Sequence, residues 1–280
     1  MSAIWGVLDL SGKAIESEIC STLKKPFLSK KIDKIQEKTT GSLYFACGLQ
    51  FVSDEAEKEC YPYESQDFIL TADAIVDNRE ELQSSFSMVS PLSSQGVDGS
   101  ILFDCVTQDF KKALDAMLGA YVFALYNKKD NTLTLAYDAV GTRSVYYTVL
   151  GDRFYFSSLL EPLLQVKQER KRNDQWFFNF YAQDGLCFVK EYRETPYEGV
   201  FRLEPGEFLI FSQNGITRKA YWDPLSARKE LKLPSHEAYA QRVREVFGAA
   251  VKRMIRENQD AAILLSGGLD SNAVAAFAAP

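Results

Sequence analysis

The sequence is poor in the side chains that form catalytic triads, disulfide frameworks and zinc sites, with one histidine and five cysteines in 280 residues. The histidine, His236, has no serine or carboxylate arrangement around it that is typical of a triad, which predicts a surface residue. The cysteines are odd in number and form no Cys-x-x-Cys pair, which argues against a disulfide framework and a thiolate zinc site. We expect reduced cysteines that serve in packing: Cys20, Cys47, Cys60, Cys105 and Cys187.

Long apolar segments are also absent from the sequence. No apolar run approaches the length of a membrane span, and the amino terminus has no secretory h-region. We therefore expect a cytoplasmic protein without a membrane partner. The net charge of -6 argues against general nucleic-acid binding. Two locally basic stretches, Lys24–Lys38 and Lys167–Arg172, are interpreted as solvated faces.

Hydrophobic residues, by contrast, make up 46% of the chain and aromatic residues 13%, which is ample for a sizeable core. Residues 1 to about 222 show the pattern of a strand-rich region with two helical stretches. We predict two short helices within residues 99–118, where apolar residues recur at helical spacing. The predicted strands are Ala3–Leu10, Phe45–Val52 and Phe68–Val76, followed by two hairpins, Ala120–Tyr126 with Thr132–Tyr137 and Glu207–Ser212 with Ile216–Trp222.

A polar stretch with two prolines follows at residues 223–235, and we predict a linker there. Ser235 is predicted to cap a helix that carries an apolar stripe. We expect this stripe to pack beside a strand around Ile263. The stripe consists of Tyr239, Val243, Val246, Phe247, Ala250, Val251, Met254 and Ile255.

Near the carboxyl end, an apolar segment, a glycine-rich turn and an alanine-rich segment follow one another. Residues 261–265 predict a strand, with Leu264 and Leu265 buried in its sheet, and residues 272–279 predict a helix. The turn between them is Ser266-Gly267-Gly268-Leu269-Asp270-Ser271. Its glycines let backbone N–H groups approach an anion, its serines add hydroxyl donors, and the helix points its positive end at the same place. An ordinary strand-to-helix turn uses the same residue types, but six residues in register favour a phosphate-binding loop.

No lysine follows the glycines, so the loop is not the Gly-x-x-x-x-Gly-Lys-Ser/Thr type. The serine-flanked form instead resembles the pyrophosphate loop of ATP pyrophosphatases, which split ATP into AMP and pyrophosphate while adenylating a substrate. This resemblance implies ATP and Mg²⁺ as cofactors. It assigns the ATP phosphates to Ser266, Gly267, Gly268, Asp270 and Ser271, with Asp270 supporting the helix start or Mg²⁺ rather than acting as a base. Because no further strand follows before Pro280, we expect these 280 residues alone to be inactive.

Taken in order, several segments resemble the asparagine synthetase family over essentially the whole chain. Leu118-Gly-Ala-Tyr-Val-Phe-Ala-Leu125 resembles a strand of that family, and Asp138-Ala-Val-Gly-Thr-Arg-Ser-Val-Tyr-Tyr147 resembles its Asp-Arg-x-Gly-x-x-Pro-Leu-Tyr-Tyr segment. The other matching segments are Phe154–Ser158, Leu203–Gly206, Tyr221–Pro224 and Ser266–Ser271. One such match is a weak signal, whereas several in the expected order are hard to obtain by chance.

The resemblance implies two domains. Residues 1–222 would form a glutamine amidotransferase-like domain, an α+β αββα sandwich of the N-terminal-nucleophile type. Residues 223–235 would be a linker, and residues 236–280 would begin an α/β ATP pyrophosphatase domain. In the family, the first domain hydrolyses glutamine to ammonia, and the second makes a β-aspartyl adenylate that ammonia attacks. The implied partners are ATP, a carboxylate substrate such as aspartate or a larger acid, and ammonia, glutamine or an internal amine as the nitrogen source; a homodimer stays open.

The amino-terminal active site departs from the family pattern. The family nucleophile is a cysteine directly after the initiator methionine, whereas this chain has Ser2, whose hydroxyl is much harder to ionise. The family's oxyanion-binding Asn-Gly pair aligns with Ala72 and Asp73, which removes a donor and adds a carboxylate. The arginine that would grip the glutamine carboxylate is absent from Leu49–Val52. Asp98 matches the residue that binds the substrate amine. We predict that glutaminase activity has been lost.

Three functions remain open at this point. In the first, the protein converts aspartate to asparagine, the family default, with free ammonia or another amine as the nitrogen source. In the second, it forms an intramolecular amide, as β-lactam synthetase and the lasso-peptide cyclases do. Loss of glutaminase favours the second and family resemblance favours the first. In the third, the amino-terminal sandwich is a non-catalytic module for assembly or regulation, and substrate-dependent AMP formation would argue against it.

Overall fold

The computed structural model describes residues 2–182, 192–226, 230–256 and 262–278, and it divides into two compact units between Asp223 and Pro224. In chain order the strands are β1 Ala3–Asp9, β2 Lys34–Thr40, β3 Leu43–Leu49, β4 Tyr63–Glu64, β5 Phe68–Val76, β6 Gly119–Asn127, β7 Thr132–Tyr137, β8 Tyr146–Leu150, β9 Arg153–Ser157, β10 Phe201–Arg202, β11 Glu207–Ser212 and β12 Gly215–Ala220. The helices are α1 Ser17–Lys24, α2 Asp54–Glu57, α3 Arg79–Ser85, α4 Pro91–Ser94, α5 Asp98–Gln108, α6 Phe110–Ala116, α7 Leu160–Lys167, α8 Asp174–Ala182, α9 His236–Ile255 and α10 Leu269–Ala278.

The first unit contains two antiparallel sheets of six strands each. Sheet A has the strand order β10-β8-β9-β1-β3-β2, and sheet B has the order β12-β11-β7-β6-β5-β4. Strand β1 shows how sheet A is covered on both faces. Because side chains alternate along a strand, Ile4 and Leu8 enter the main core, while Trp5 and Val7 enter a second core with residues of α1 and α7. Both faces of β1 are therefore lined by apolar side chains from Ala3 to Leu8.

Sheet B is covered in the same way. Strand β5 contacts β3 of sheet A on one side and helix α5 on the other, and α6 packs beside α5. Hydrogen bonds also join the two sheets: Thr71 Oγ1 donates to the Ala46 carbonyl over 3.1 Å, and Cys47 Sγ donates to the Ala72 carbonyl over 3.3 Å. The layers run helix, sheet, sheet, helix, which confirms the predicted αββα sandwich.

The predicted element bounds agree with the structure at β5, β7 and β11, differ by one residue at an end of β1 and at both ends of β6, and differ by more at β3 and β12. Strand β3 lies earlier than predicted and ends at Leu49, because the N–H groups of Gln50 and Phe51 donate to the side chains of Ser2 and Asp33 instead of a neighbouring strand. Strand β12 ends before Tyr221, because the N–H groups of residues 221 and 222 both donate to the Gly206 carbonyl. The two helices predicted within residues 99–118 are α5 and α6.

Strand β2 was not predicted, since its residues lie within the basic stretch interpreted as a solvated face. That stretch is largely exposed, but Lys34–Thr40 pairs with β3 along its whole length as the edge strand of sheet A. Its charged side chains form cross-strand and surface ion pairs, such as Lys24 with Glu37 at 2.8 Å. Charged residues on an edge strand keep it from pairing with other chains, which explains the polar sequence.

The cysteines and the histidine mostly follow expectation. Cys20, Cys47, Cys60 and Cys105 are free thiols, and Cys187 lies outside the described residues. Cys47 and Cys105 are buried and Cys20 is half-buried, as expected for packing, but Cys60 is exposed. His236 is exposed at the start of α9, as predicted. Within the described ranges, every helix is too short or too polar to cross a bilayer.

The second unit consists of α9 and α10. Ser235 caps α9 as predicted, since its Oγ accepts the N–H of Ala238 over 3.2 Å. The two helices meet at Phe247 and Phe277, whose ring centroids lie 5.6 Å apart. Most of the predicted stripe is exposed, including Val243, Val246 and Met254, and only Gly248 and Val251 of α9 are buried. The expectation that the stripe packs beside a strand is therefore wrong.

The predicted buried strand before the glycine loop is also wrong. The described part of that segment, residues 262–265, has no strand pairing, and Leu264 is 95% exposed. A strand of this apolar type is stabilised by neighbouring strands and by helices on both sheet faces. The described residues of the second unit supply two helices and no strand, so the backbone has no ladder to join.

Candidate functional site

The glycine loop makes a tight turn directly before α10. Gly267 has a φ of +81°, a left-handed conformation that residues with a Cβ rarely adopt. The turn brings Ser266 Oγ within 3.1 Å of Ser271 Oγ, and the Ser271 hydroxyl donates to the Gly268 carbonyl over 3.2 Å. The sequence-predicted loop residues are thus gathered at one point, where α10 begins.

The donors at this point fit a phosphate. The first intrahelical bond of α10 runs from Asn272 N–H to the Gly268 carbonyl, so the N–H groups of residues 269–271 belong to the first turn, which has no intrahelical acceptors. The Gly268 N–H points at Ser266 Oγ over a long 3.4 Å, which leaves it available for a stronger acceptor. Asp270 also lies in the first turn and is exposed. Its carboxylate would repel a phosphate unless a cation lies between them.

In the parts of the chain that the structure describes, no group of three or more histidine, cysteine or acidic side chains is arranged to hold a metal ion. Any Mg²⁺ at the loop would therefore be held mainly through phosphate oxygens, with Asp270 as the nearest protein carboxylate in the sequence.

The residues predicted to mark the glutaminase site, called the amino-terminal pocket below, are Ser2 before β1, Asp73 on β5 and Asp98 at the start of α5. Ser2 directly precedes β1 and is half-buried beside the end of β3. Its Oγ accepts the N–H of Gln50 over 3.1 Å. The position suits an amino-terminal nucleophile, but the hydrogen bond that the structure records makes the hydroxyl an acceptor and does not activate it by removing its proton.

Asp73 lies where the resemblance predicts oxyanion donors, and its environment suits a carboxyl group poorly. The side chain is buried in β5, and burial raises its pKa to about 6, although the Arg143 guanidinium opposes the shift. Arg143 Nε lies 3.5 Å from Asp73 Oδ2. Near neutral pH a largely ionised carboxylate here would repel a developing oxyanion.

Cys47 is a thiol on β3 of the facing sheet that sequence reasoning took as packing only. It is fully buried, and burial raises the pKa of its thiol well above the usual value. Because the thiolate is the reactive form, Cys47 is not a substitute for the missing nucleophile.

Asp98, the predicted amine-binding residue, is already in an ion pair. It is the first residue of α5, is buried, and accepts a hydrogen bond from Arg79 Nε over 2.7 Å. Arg79 Nη1 also lies 4.0 Å from Glu55 Oε1. Asp98 therefore binds a cation that belongs to the chain itself, and its role toward a substrate amine stays a prediction.

Glu59 is a buried carboxyl group that sequence reasoning missed. Its Oε1 accepts the N–H of Gly99 and its Oε2 accepts the Tyr63 hydroxyl, both over 2.8 Å. Burial raises its pKa to about 7 in spite of these two donors. The sequence around Glu59 did not indicate this role, because its partners, Tyr63 and Gly99, belong to β4 and α5.

A surface concavity lies in another part of the first unit. It has a volume of about 620 Å³ and is lined by Arg172, Asp174, Phe177, Phe178, Tyr181 and Ala182. None of these is a predicted site residue, and the concavity is wide open to solvent. We give it no role in the chemistry.

Two family models match the sequence. Residues 51–222 match the model described as a glutamine amidotransferase domain, and residues 242–280 match the model described as asparagine synthase. Asp73 and Asp98 lie inside the first match and the glycine loop lies inside the second, whereas Ser2 lies outside both.

Curated relatives include two proteins named as asparagine synthetases. Asparagine synthetase (glutamine-hydrolyzing) 3 of Bacillus subtilis is 26% identical over 223 residues, which cover 78% of this chain and 34% of the relative. Putative asparagine synthetase (glutamine-hydrolyzing) 2 of Methanocaldococcus jannaschii is 27% identical over 226 residues, which cover 74% of this chain and 39% of the relative. The chain thus spans between 34% and 39% of the length of these relatives, and the predicted resemblance is confirmed.

Among solved structures, the glutamine phosphoribosylpyrophosphate amidotransferase of B. subtilis, complexed with ADP and GMP, has a similar fold. The TM-score is 0.51 at 14% sequence identity, over 79% of this chain and 49% of that chain. At this identity the similarity concerns the fold alone. It agrees with the sandwich of two antiparallel sheets between helices.

Proposed function

This chain belongs to the glutamine amidotransferase domain family, and we propose that it is part of an ATP-dependent amide-forming ligase of the asparagine synthetase type whose glutaminase activity has been lost. In this proposal the protein adenylates a carboxylate, with aspartate as the default substrate, and releases pyrophosphate. The nitrogen then comes from free ammonia or another amine and not from glutamine hydrolysed in the amino-terminal domain.

The observation that carries the synthetase half is the loop from Ser266 to Ser271. Its left-handed Gly267, the two converging hydroxyls and the start of α10 would together bind an anion, and they lie within the segment that matches the asparagine synthase model. Three independent features of one hexapeptide thus favour a polyphosphate ligand.

The loop residues have distinct roles when ATP and Mg²⁺ are bound. Bound ATP supplies the adenylyl group, and pyrophosphate is its leaving group. The N–H of Gly268 and those of the first turn of α10 would bind phosphate oxygens, and the hydroxyls of Ser266 and Ser271 would turn from each other to donate to the same oxygens. The carboxylate of Asp270 would help to hold Mg²⁺ beside the phosphates. These groups hold and neutralise the leaving group, which is where charge develops in this reaction.

The loss of glutaminase rests on the amino-terminal pocket. The hydroxyl of Ser2 accepts a backbone hydrogen bond, Asp73 adds negative charge, and Asp98 is paired with Arg79. Each change weakens a different requirement of the reaction: the nucleophile, the oxyanion and the binding of the substrate amine. Because several requirements are lost together, restoring one residue would not restore glutamine hydrolysis.

A second candidate function is intramolecular amide formation, as in β-lactam synthetase or lasso-peptide cyclases. The observation that favours it is the same altered pocket, because an internal amine makes an ammonia source unnecessary. The loop chemistry is identical in both candidates, so only the substrate distinguishes them.

The test is aspartate-dependent exchange of labelled pyrophosphate into ATP, measured with the longest product of the reading frame that contains these 280 residues. Exchange that requires aspartate supports the synthetase; ATP binding without exchange points to a substrate that carries both acid and amine. Ser271→Ala should reduce the exchange, while the control Ser94→Ala, an exposed serine of α4 in the other unit, should not. No ATP binding by a folded protein would contradict the proposal and favour the non-catalytic module.

The glutaminase half has its own assay, which is glutamate release from glutamine by the purified protein. We expect the same background rate in the wild type and in Ser2→Ala. Hydrolysis above background that Ser2→Ala abolishes would overturn the loss of glutaminase without affecting the synthetase half.

A further inference from the structure

Arg79 is the single guanidinium among three carboxylates at the amino-terminal pocket. Its Nε donates to Asp98 over 2.7 Å, its Nη1 lies 4.0 Å from Glu55, and Glu59 lies close enough to interact electrostatically with it. Asp98 and Glu59 are buried, and Arg79 is largely buried with them. A buried carboxylate needs a counter-charge, and the chain supplies it here from the first residue of α3.

The space beside Asp98 is filled by the chain's own groups. A Cβ on the next residue, Gly99, would collide with the Tyr61 hydroxyl and would lie 2.6 Å from Glu59 Oε2. The missing Cβ is what lets these two side chains close over the start of α5. Beside it, the Asp98 carboxylate accepts a hydrogen bond from Arg79 and not from a ligand.

The fit of Arg79 in this pocket is incomplete. Its Nη2 is buried and makes no hydrogen bond to any residue that the structure describes. An unsatisfied buried donor lowers stability, so the guanidinium is not held there by an optimal set of acceptors. Charge, rather than complete hydrogen bonding, keeps the side chain in the pocket.

We propose that Arg79 permanently occupies a cation subsite formed by Asp98, Glu55 and Glu59, and that it thereby excludes the ammonium group of amino acids from the amino-terminal pocket. This inference rests on the proposed loss of glutaminase, because it names the residue that closes the amine subsite. Arg79 is then a specificity determinant that acts by exclusion. The three carboxylates still attract a cation, and the guanidinium of Arg79 is the cation that they bind.

The test removes Arg79 and supplies a small cation in its place. Arg79→Ala should lower the melting temperature, and methylguanidinium chloride should raise it again in a saturable manner, by about 2–4 °C for each kcal/mol of binding free energy. Sodium chloride at the same concentration controls for ionic strength. The wild type and Arg79→Lys, whose subsite is still occupied, should show no such rise.

Two further variants make the result specific. Arg172→Ala removes an exposed arginine that pairs with Asp174, and methylguanidinium should not stabilise it beyond sodium chloride. Arg79→Ala combined with Asp98→Asn removes the main acceptor and should abolish the stabilisation. If Arg79→Ala does not fold in sodium chloride, methylguanidinium must restore the folded fraction.

Equal responses of Arg79→Ala and the wild type to methylguanidinium would overturn the inference, and so would a folding defect that the cation does not restore. Neither result concerns glutamate release, which tests the loss of glutaminase separately. Active hydrolysis by the wild type would overturn both proposals, whereas an unresponsive Arg79→Ala with background hydrolysis would overturn this one alone.

Discussion

The Oδ2 atom of Asp73 lies 3.5 Å from Nε of Arg143, and that Nε makes no hydrogen bond to the described residues. The two groups therefore interact by charge without a formed hydrogen bond. Burial raises the pKa of Asp73 to about 6, and Arg143 limits the rise. Asp73 therefore titrates just below neutral pH, and the positive charge of Arg143 favours its ionised form.

Replacing Arg143 should make the stability of the protein more sensitive to pH. The pKa of Asp73 in the folded chain lies above its model value of 3.8, so this group's contribution to stability is lost as pH rises through about 6. Arg143→Met raises the folded pKa further. We expect a loss of about 3 kcal/mol at about pH 8 and a much smaller loss at about pH 5, measured by urea unfolding.

Arg153→Met is the matched control for that measurement. Arg153 has the same side-chain exposure as Arg143, and it pairs with Asp9 over 2.7 Å. Burial opposes ionisation of Asp9, but hydrogen bonds from Ser11 and Arg153 hold its pKa below the usual value. Asp9 is thus ionised throughout this range, and the loss in Arg153→Met should hardly change between about pH 5 and about pH 8. Similar pH profiles for the two variants would contradict the assignment.

Glu59→Gln should flatten the pH dependence of stability. The folded pKa of Glu59 is raised from 4.5 to about 7, so the folded chain binds the proton more tightly and stability falls as pH rises between these values. Removing the ionisable group removes this fall, which amounts to about 3 kcal/mol at most. Urea unfolding at about pH 5 and about pH 8 measures it.

Glu64→Gln serves as the control for Glu59→Gln. Hydrogen bonds from Lys128 and Lys38 hold the pKa of Glu64 below its usual value, so it stays ionised in both states over this range. Its removal should leave the slope unchanged. A slope in Glu59→Gln equal to that of the wild type would show that Glu59 does not titrate as stated.

Ser2→Cys should not restore glutamine hydrolysis. A thiol replaces the hydroxyl, but Asp73 still faces the pocket with its negative charge and Arg79 still pairs with Asp98. We expect glutamate release no faster than from Ser2→Ala, with mass spectrometry confirming removal of the initiator methionine in both variants. Release from Ser2→Cys well above Ser2→Ala would mean that the nucleophile was the only lost part.

Gly267→Ala should reduce pyrophosphate exchange by more than its loss of stability explains, and Gly12→Ala is the matched control. Gly267 has a φ of +81° and Gly12 has a φ of +79°, and a Cβ on either would meet no atom within 4 Å. Either substitution should therefore cost about 1 kcal/mol of backbone strain. Only Gly267→Ala should also reduce pyrophosphate exchange into ATP, because only this residue shapes the glycine loop.

Equal exchange in Gly267→Ala and Gly12→Ala, at equal folded fractions, would argue against a phosphate site at the loop. Thermal unfolding monitored by circular dichroism establishes the folded fractions before exchange is compared.

The sequence was sufficient wherever structure depends on neighbouring residues. The bounds of β5, β7 and β11 follow from runs of apolar residues between turn formers, and the Asn214-Gly215 turn predicts the β11–β12 hairpin. The cap at Ser235 and the left-handed turn at Gly267 follow from local backbone chemistry in the same way. The match to known proteins confirms the resemblance that the ordered motifs carried.

The sequence failed where a residue's partner lies far along the chain. Lys34–Thr40 carries no apolar signal and is a strand only because β3 offers it a ladder. Leu264 and Leu265 carry a strong strand signal and form none, because the described residues of their unit offer no ladder. Strand formation needs a hydrogen-bonding neighbour, and local composition reports only the preference for one.

By itself the sequence determined the fold class, because ordered motifs carry it, while the phosphate-binding role of the glycine loop and the loss of the family nucleophile at Ser2 stay predictions from local residues. Only the tertiary structure decided what happened to the rest of the pocket. Asp98 meets Arg79 across 19 residues, and Glu59 meets Gly99 across 40 residues. Such pairings are set by how sheets and helices pack, and the charge and pKa of a buried group depend on those distant partners rather than on its own neighbours in the chain.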